Sequence, residues 1–144
     1  MVNQNKIRQK VSLIEQNLRR LEYLRALSAT EFKGDFRNGE AAKHLLQVAI
    51  EAMSDICDHI IAKNRLGTPE SQAESYRILT KNGLLDPVHL GNYVAMTKFR
   101  NKVVHLYHEI SEDEIYRILQ DNLGDFQMFI TEVLKITEDD PESI

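Results

Sequence analysis

The sequence predicts an all-α protein, a five-helix antiparallel up-and-down bundle built from one domain spanning residues 1–144. Three observations lead there. Apolar residues recur at helical spacing along almost the whole chain, with no strand-like alternation and no internal repeat. Only six glycines and three prolines punctuate the 144 residues. The stretches between the long helical segments are short, which favours antiparallel neighbours.

The elements follow in order. The first helix is expected over residues 4–27, with Ile7, Val11, Ile14, Leu18, Leu21 and Leu24 on one face. Ser28-x-x-Glu31 reads as a capping box that opens a short helical turn, and Gly34-Asp35 breaks it. The second long helix runs over residues 37–63 and ends before Asn64 and Gly67. Thr68-Pro69 opens the third, with proline at the first helical position, and Asn82-Gly83 closes it. Asp86-Pro87 opens the fourth by the same device, and its pattern continues to Tyr107. Ser111-x-x-Glu114 is a second capping box. A fifth helix follows, with Ile115, Ile118, Leu119, Leu123, Phe126, Ile130 and Val133 as its apolar stripe. The acidic tail, residues 138–144, is expected to fray.

Composition bounds the function. Hydrophobic residues make up 42% and charged residues 28%, as in a soluble globular chain able to bury a core. The lone Cys57 cannot close an intrachain disulfide and sits in an apolar segment, which favours a reducing compartment. The N-terminal residues lack the apolar run of a signal peptide. No stretch approaches the ~18 consecutive apolar residues of a membrane span. A cytoplasmic protein without a membrane partner is expected. The formal net charge of −4 argues against a broadly basic nucleic-acid surface and leaves room for a local basic cleft.

The second long helix is unusually apolar. Leu45, Leu46, Ala49, Ala52, Met53, Ile56 and Ile60 share one face, Ile50, Cys57 and Ile61 widen it on one side, and Val48 widens it on the other. An arc wider than half the circumference implies either a central place in the bundle or a second surface against another subunit.

The most informative segment is Lys98-Phe99-Arg100-Asn101-Lys102-Val103-Val104-His105-Leu106-Tyr107. At ~100° per residue, Tyr93, Met96, Phe99, Val103, Val104, Leu106 and Tyr107 form one apolar arc, and Arg100 falls near its middle. A guanidinium there needs an anionic partner or an anionic ligand. Asn101 and His105 lie together on one flank. An arginine, an amide, an imidazole and a phenol within eight residues make a set suited to phosphoesters. Arg100 and His105 lie ~140° apart on an ideal helix, so they converge only through a long arginine reach, a distorted helix end or a cleft completed by two chains.

Arg100-Asn101-x-x-x-His105-x-Tyr107 resembles the R-polar-x-x-x-H-x-Y signature of HEPN domains in the HepT-like toxin branch, and residues 45–62 resemble that family's long second helix. The resemblance covers most of the chain. It implies a HEPN-type bundle and a homodimer. It also implies metal-independent RNA cleavage by Arg100, Asn101 and His105, leaving a 2′,3′-cyclic phosphate or its hydrolysis product. An imidazole with its ordinary pKa near ~6.5 suits acid and base roles, and a guanidinium suits phosphate oxygens. The family's partner is an MntA-like nucleotidyltransferase antitoxin, which attaches AMP to the tyrosine two residues after the histidine, here Tyr107. The alternative is a non-catalytic helical subunit that regulates, or binds substrate for, a nucleotidyltransferase.

Supporting roles are expected nearby. Asp55 is the favoured carboxylate for Arg100, with His59 also near the border of the apolar face and Glu51 pointing away from it. Lys98 and Lys102 flank the motif as candidate RNA contacts. Asp55, His59, His105, His108 and Glu109 are the set a metal would draw on. The chain lacks the Glu-x-x-His pairs and Cys/His clusters of metal bundles, so no metal or cofactor is expected.

Overall fold

The computed structural model describes residues 3–138, and within them every regular element is helical. Helix α1 spans Gln4–Arg25, and the Asn3 side chain caps it by accepting from the Lys6 amide. Ile7, Val11, Ile14, Leu21 and Leu24 are buried, and the buried Asn17 amide donates to the Leu45 carbonyl at 3.2 Å. The short α2, Ala29–Lys33, carries the predicted reciprocal capping box between Ser28 and Glu31. Its Phe32 is fully buried, 5.4 Å from the Tyr116 ring.

Helix α3, Phe36–Lys63, is the hub. It packs against α1, α2, α4 (Gln72–Lys81), α5 (Leu90–His105) and α6 (Glu112–Asp121). Ile50, Cys57 and Ile61, which widen its apolar arc, are buried by the chain itself. The breadth of that arc on this side therefore reports a central position in the bundle, while Val48, on the other side, is only partly buried.

Several boundaries differ from expectation. Pro69 lies in a loop, and α4 begins after Ser71, whose hydroxyl accepts from the Glu74 amide at 3.1 Å. A side-chain cap satisfies an open backbone N–H, whereas proline only tolerates its loss. Asp86 caps a 3-10 turn, Pro87–His89, before α5 starts. The predicted fifth helix is two, α6 and α7 (Gly124–Glu138), separated at Asn122 and Leu123. Ile115, Leu119, Leu123, Phe126, Ile130 and Val133 stay buried across that break, so the stripe reads as continuous although the backbone is not. Of the predicted frayed tail, Glu138 closes α7 and the rest lies outside the described residues.

Polar contacts lock α5 in place. The Tyr93 hydroxyl donates to Glu132 Oε1 on α7 at 2.6 Å, and Glu132 Oε2 accepts from the Asp86 amide at 2.7 Å. The Tyr93 ring packs against Tyr76 and Phe129 at 5.4 and 5.5 Å. Farther along α5, Lys102 Nζ lies 3.0 Å from Glu114 on α6. Among the described residues, no helix is long and apolar enough to cross a membrane.

Ile56, fully buried on α3, should be costly to truncate. Ile56→Ala is expected to lose about 2–5 kcal/mol of stability through lost contacts and a residual cavity. Phe36→Ala, at a residue 73% exposed, should change it by about 0.5 kcal/mol or less. Urea denaturation midpoints check both, and equal midpoints for the two variants would contradict the placement of α3.

Candidate functional site

The last turns of α5 lie against one face of α3. Arg100 is half-buried there, with Nε 3.3 Å from Glu51 Oε1, and the same carboxylate oxygen accepts from Gln47 Nε2 at 2.9 Å. Arg100 Nη1 makes a longer contact of 3.4 Å with Asn101 Oδ1. The remaining guanidinium hydrogens have no acceptor among the described residues. The required carboxylate is thus Glu51, and the expected Asp55 and His59 are engaged elsewhere. Asp55 pairs with Lys10 of α1 at 2.9 Å, and His59 Nε2 accepts from the Asn3 amide at 2.9 Å. The reason is rotation: each step of four residues turns ~40° around α3, carrying Asp55 and then His59 from the α5 side toward α1.

Helix α5 ends at His105. Leu106 leaves the helical region at φ −131°, ψ 39°, while its amide still reaches the Lys102 carbonyl at 2.7 Å. His105 is exposed at the helix terminus, and Arg100 is drawn toward Glu51. One chain therefore does not bring the imidazole onto the guanidinium. Val104 and Leu106, beside the motif, are also exposed.

Tyr107 does not continue α5 and does not lie beside Arg100. It begins a 3-10 turn, Tyr107–Glu109, that carries the ring toward the N-terminal part of α3. Its hydroxyl donates to Glu40 Oε2. Lys43 Nζ lies 4.2 Å from the ring centroid and 3.5 Å from Glu40 Oε1. The hydrogen bond to Glu40 pushes the phenol up to about 12 and holds the Glu40 carboxyl below the usual carboxylate range. Glu40 and Glu51 are eleven residues apart, which is ~20° around α3 and ~16 Å along it. Arg100 and Tyr107 thus occupy two ends of one strip.

Lys98 and Lys102 belong to a different feature. They line a groove of about 350 Å³ between α5, α6 and α7, floored by Leu46, Ile50, Met96, Phe99 and Phe126. Lys98 is exposed, and Lys102 is committed to Glu114. Among the described residues, no group of three or more His, Cys, Asp and Glu gathers as a metal site. Cys57 is fully buried, and burial raises its thiol pKa.

Sequence reasoning missed Glu40 and Lys43. Lys43 carried a signal, because a lysine beside Ala42 on a buried helix face demands a partner. Glu40 carried none, since it meets Tyr107 from 67 residues away.

The site can be compared with known proteins. The model of the family Ribonuclease HepT-like matches residues 14–133, which include every site residue above. The chain is 32% identical over 121 residues to the mRNA nuclease HepT of Shewanella oneidensis, covering 84% of this chain and 90% of that one. It is 24% identical over 127 residues to the tRNA nuclease HepT of Aphanizomenon flos-aquae, covering 88% and 86%. Its fold is similar to a solved structure of the tri-AMPylated Shewanella oneidensis HEPN toxin in complex with MNT antitoxin. That likeness has a TM-score of 0.83 and 31% identity, and it covers 91% of this chain and 97% of that one. This chain belongs to the ribonuclease HepT-like family.

Proposed function

We propose that this protein is a metal-independent endoribonuclease toxin with a cleft completed by two copies of the chain. In this reading an MntA-like nucleotidyltransferase antitoxin neutralises it by attaching AMP to Tyr107. The observation that carries the reading is Arg100, held half-buried by Glu51 with donors left open, on a helix that ends in an exposed His105. The similar HepT proteins act on mRNA and tRNA, which supports RNA as the substrate class. A related HEPN toxin carries AMP groups in complex with an MNT antitoxin, which supports both partner and modification. The absence of a membrane-spanning helix among the described residues and the buried free Cys57 fit the cytoplasm, where RNA and ATP are found.

The chemistry divides among the motif residues. Arg100 binds the scissile phosphate through its open guanidinium edge, in exchange for part of its contact with Glu51. Asn101 orients that guanidinium or the phosphate. One His105 takes the ribose 2′-hydroxyl proton, and the 2′-oxygen attacks phosphorus. The His105 of the second copy protonates the departing 5′-oxygen, leaving a 2′,3′-cyclic phosphate. Two copies are needed because Arg100 and His105 diverge within one chain. Exposed Val104 and Leu106 beside the motif supply apolar surface for that contact. The same divergence favours the second reading, a non-catalytic subunit that presents its cleft to a nucleotidyltransferase.

Cleavage assays separate the two. Arg100→Ala and His105→Ala should each stay folded and lose activity, the histidine variant by roughly 100- to 10,000-fold. EDTA should leave the wild type active. A wild-type rate for His105→Ala, or loss of activity in EDTA, contradicts the mechanism.

Light scattering should give twice the 16.6 kDa chain mass. Leu106→Asp should lower that mass and the cleavage rate together. A wild-type mass near that of one chain removes the composite cleft.

Tyr107→Phe keeps the ring over Lys43 and removes only the acceptor oxygen. It should cleave RNA, and intact-mass spectrometry should show no gain after incubation with the nucleotidyltransferase and ATP. A mass gain on this variant places the modification elsewhere.

A further inference from the structure

The phenol of Tyr107 is a poor nucleophile at neutral pH. Its ordinary pKa of about 10 leaves roughly one molecule in a thousand ionised. Donation to Glu40 pushes that pKa up to about 12, so the resting oxygen is more firmly protonated still. A hydroxyl of this kind needs an adjacent base when it attacks. Among the described residues, one carboxylate is bonded to it. Glu40 Oε2 accepts from the Tyr107 hydroxyl, and the Glu40 side chain is half-exposed, so a bound partner can reach the oxygen it activates.

Two features make this contact more than a surface hydrogen bond. Lys43 is buried, and its ammonium is shared between the Glu40 carboxylate and the face of the Tyr107 ring. It fixes acid and base relative to one another through a single cation. His108 also faces the pair, its ring meeting Tyr107 edge-on at 5.8 Å, and the side chain of Glu112 of α6 passes beside Gly39, one residue before Glu40. The net effect holds the Glu40 carboxyl below its usual range, with the Tyr107 hydrogen bond as the main cause, so Glu40 is an ionised acceptor at neutral pH.

We propose that Glu40 is the general base for nucleotide transfer to Tyr107, taking the phenolic proton as the oxygen attacks the α-phosphorus of a nucleoside triphosphate held by the nucleotidyltransferase. The proposal rests on the reading of Tyr107 as the acceptor. The O–H bond of Tyr107 breaks and its proton passes to Glu40 Oε2. The phenolic oxygen bonds to phosphorus, and pyrophosphate leaves with the electron pair of the cleaved phosphoanhydride bond. Nothing is oxidised or reduced. The half-exposed Glu40 then returns its proton to water. The esterified oxygen has no hydrogen to donate, and the new phosphodiester repels Glu40, so the modified ring leaves Glu40 while Lys43 remains as a cation for the phosphate.

The test measures AMP transfer with the purified partner nucleotidyltransferase, ATP and Mg²⁺, following intact mass over time from about pH 6 to about pH 9. Wild type should show a nearly flat profile across that range, because Glu40 is ionised throughout. Glu40→Gln keeps an acceptor for the hydrogen bond and removes the base. It should be slower by about 100-fold or more near pH 7, and its rate should climb roughly tenfold per pH unit as phenolate replaces assisted attack. Glu40→Asp, which retains a carboxylate, should recover part of the rate with a flat profile. A wild-type rate for Glu40→Gln overturns the proposal, as does a loss that is equal at every pH. Failure of Glu40→Gln to bind the partner in pull-down also overturns it, since the residue would then serve docking. Transfer to Tyr107→Phe is a separate failure, that of the acceptor assignment itself.

Discussion

Burial of α3 against α1, α2, α4, α5 and α6 is the constraint from which the site follows. A 28-residue helix enclosed on most sides has one narrow strip left for polar residues. Glu40, His44, Gln47 and Glu51 recur along it at spacings of three and four, within ~60° of one another. The motif arginine and the motif tyrosine both anchor on this strip, at Glu51 and Glu40. The polar residues farther along α3, Asp55 and His59, are engaged by Lys10 and the Asn3 amide, so side chains of the α5 motif meet their polar partners on this strip.

That arrangement reconciles an acidic chain with an anionic substrate. Two of the carboxylates behind the formal charge of −4 lie opposite the motif itself. The Arg100–Glu51 contact is a single 3.3 Å approach between partly exposed groups, worth about 0–1 kcal/mol after solvent screening. A phosphate that engages two guanidinium hydrogens replaces it at little cost. In the proposed reading, Glu51 is a placeholder that holds the Arg100 side chain in place until phosphate arrives. The neighbouring Lys102 is less available, because it is bonded to both oxygens of Glu114.

Local signals in the sequence were legible and long-range ones were not. The Ser28 and Ser111 caps and the apolar stripe of α1 are set by neighbours three or four residues apart, and each appears where its spacing places it. The break at Asn122 was hidden because burial continues through Leu123 in phase with both helices. The choice of Glu51 over Asp55 was hidden because it depends on where α1 and α5 dock around α3, and a helical wheel drawn for one helix contains neither. The Glu40–Tyr107 contact was invisible for the same reason. It also required knowing that α5 stops two residues before the tyrosine.

That stop shapes the site. Had α5 run through Tyr107, the ring would project ~20° from Arg100 around the helix, about 10.5 Å farther along it. The turn at Leu106 instead carries the phenol ~16 Å along α3, to a carboxylate and a buried lysine of its own. In the proposed reading, cleavage and control become separate positions on one strip. Arg100 can hold phosphate while Tyr107 stays bonded to Glu40, so the unmodified protein is open for RNA. A nucleotide attached at Tyr107 cannot keep that bond, and its phosphodiester is repelled by Glu40. Lys43 at one end and Arg100 at the other are the cations such an attached group would meet.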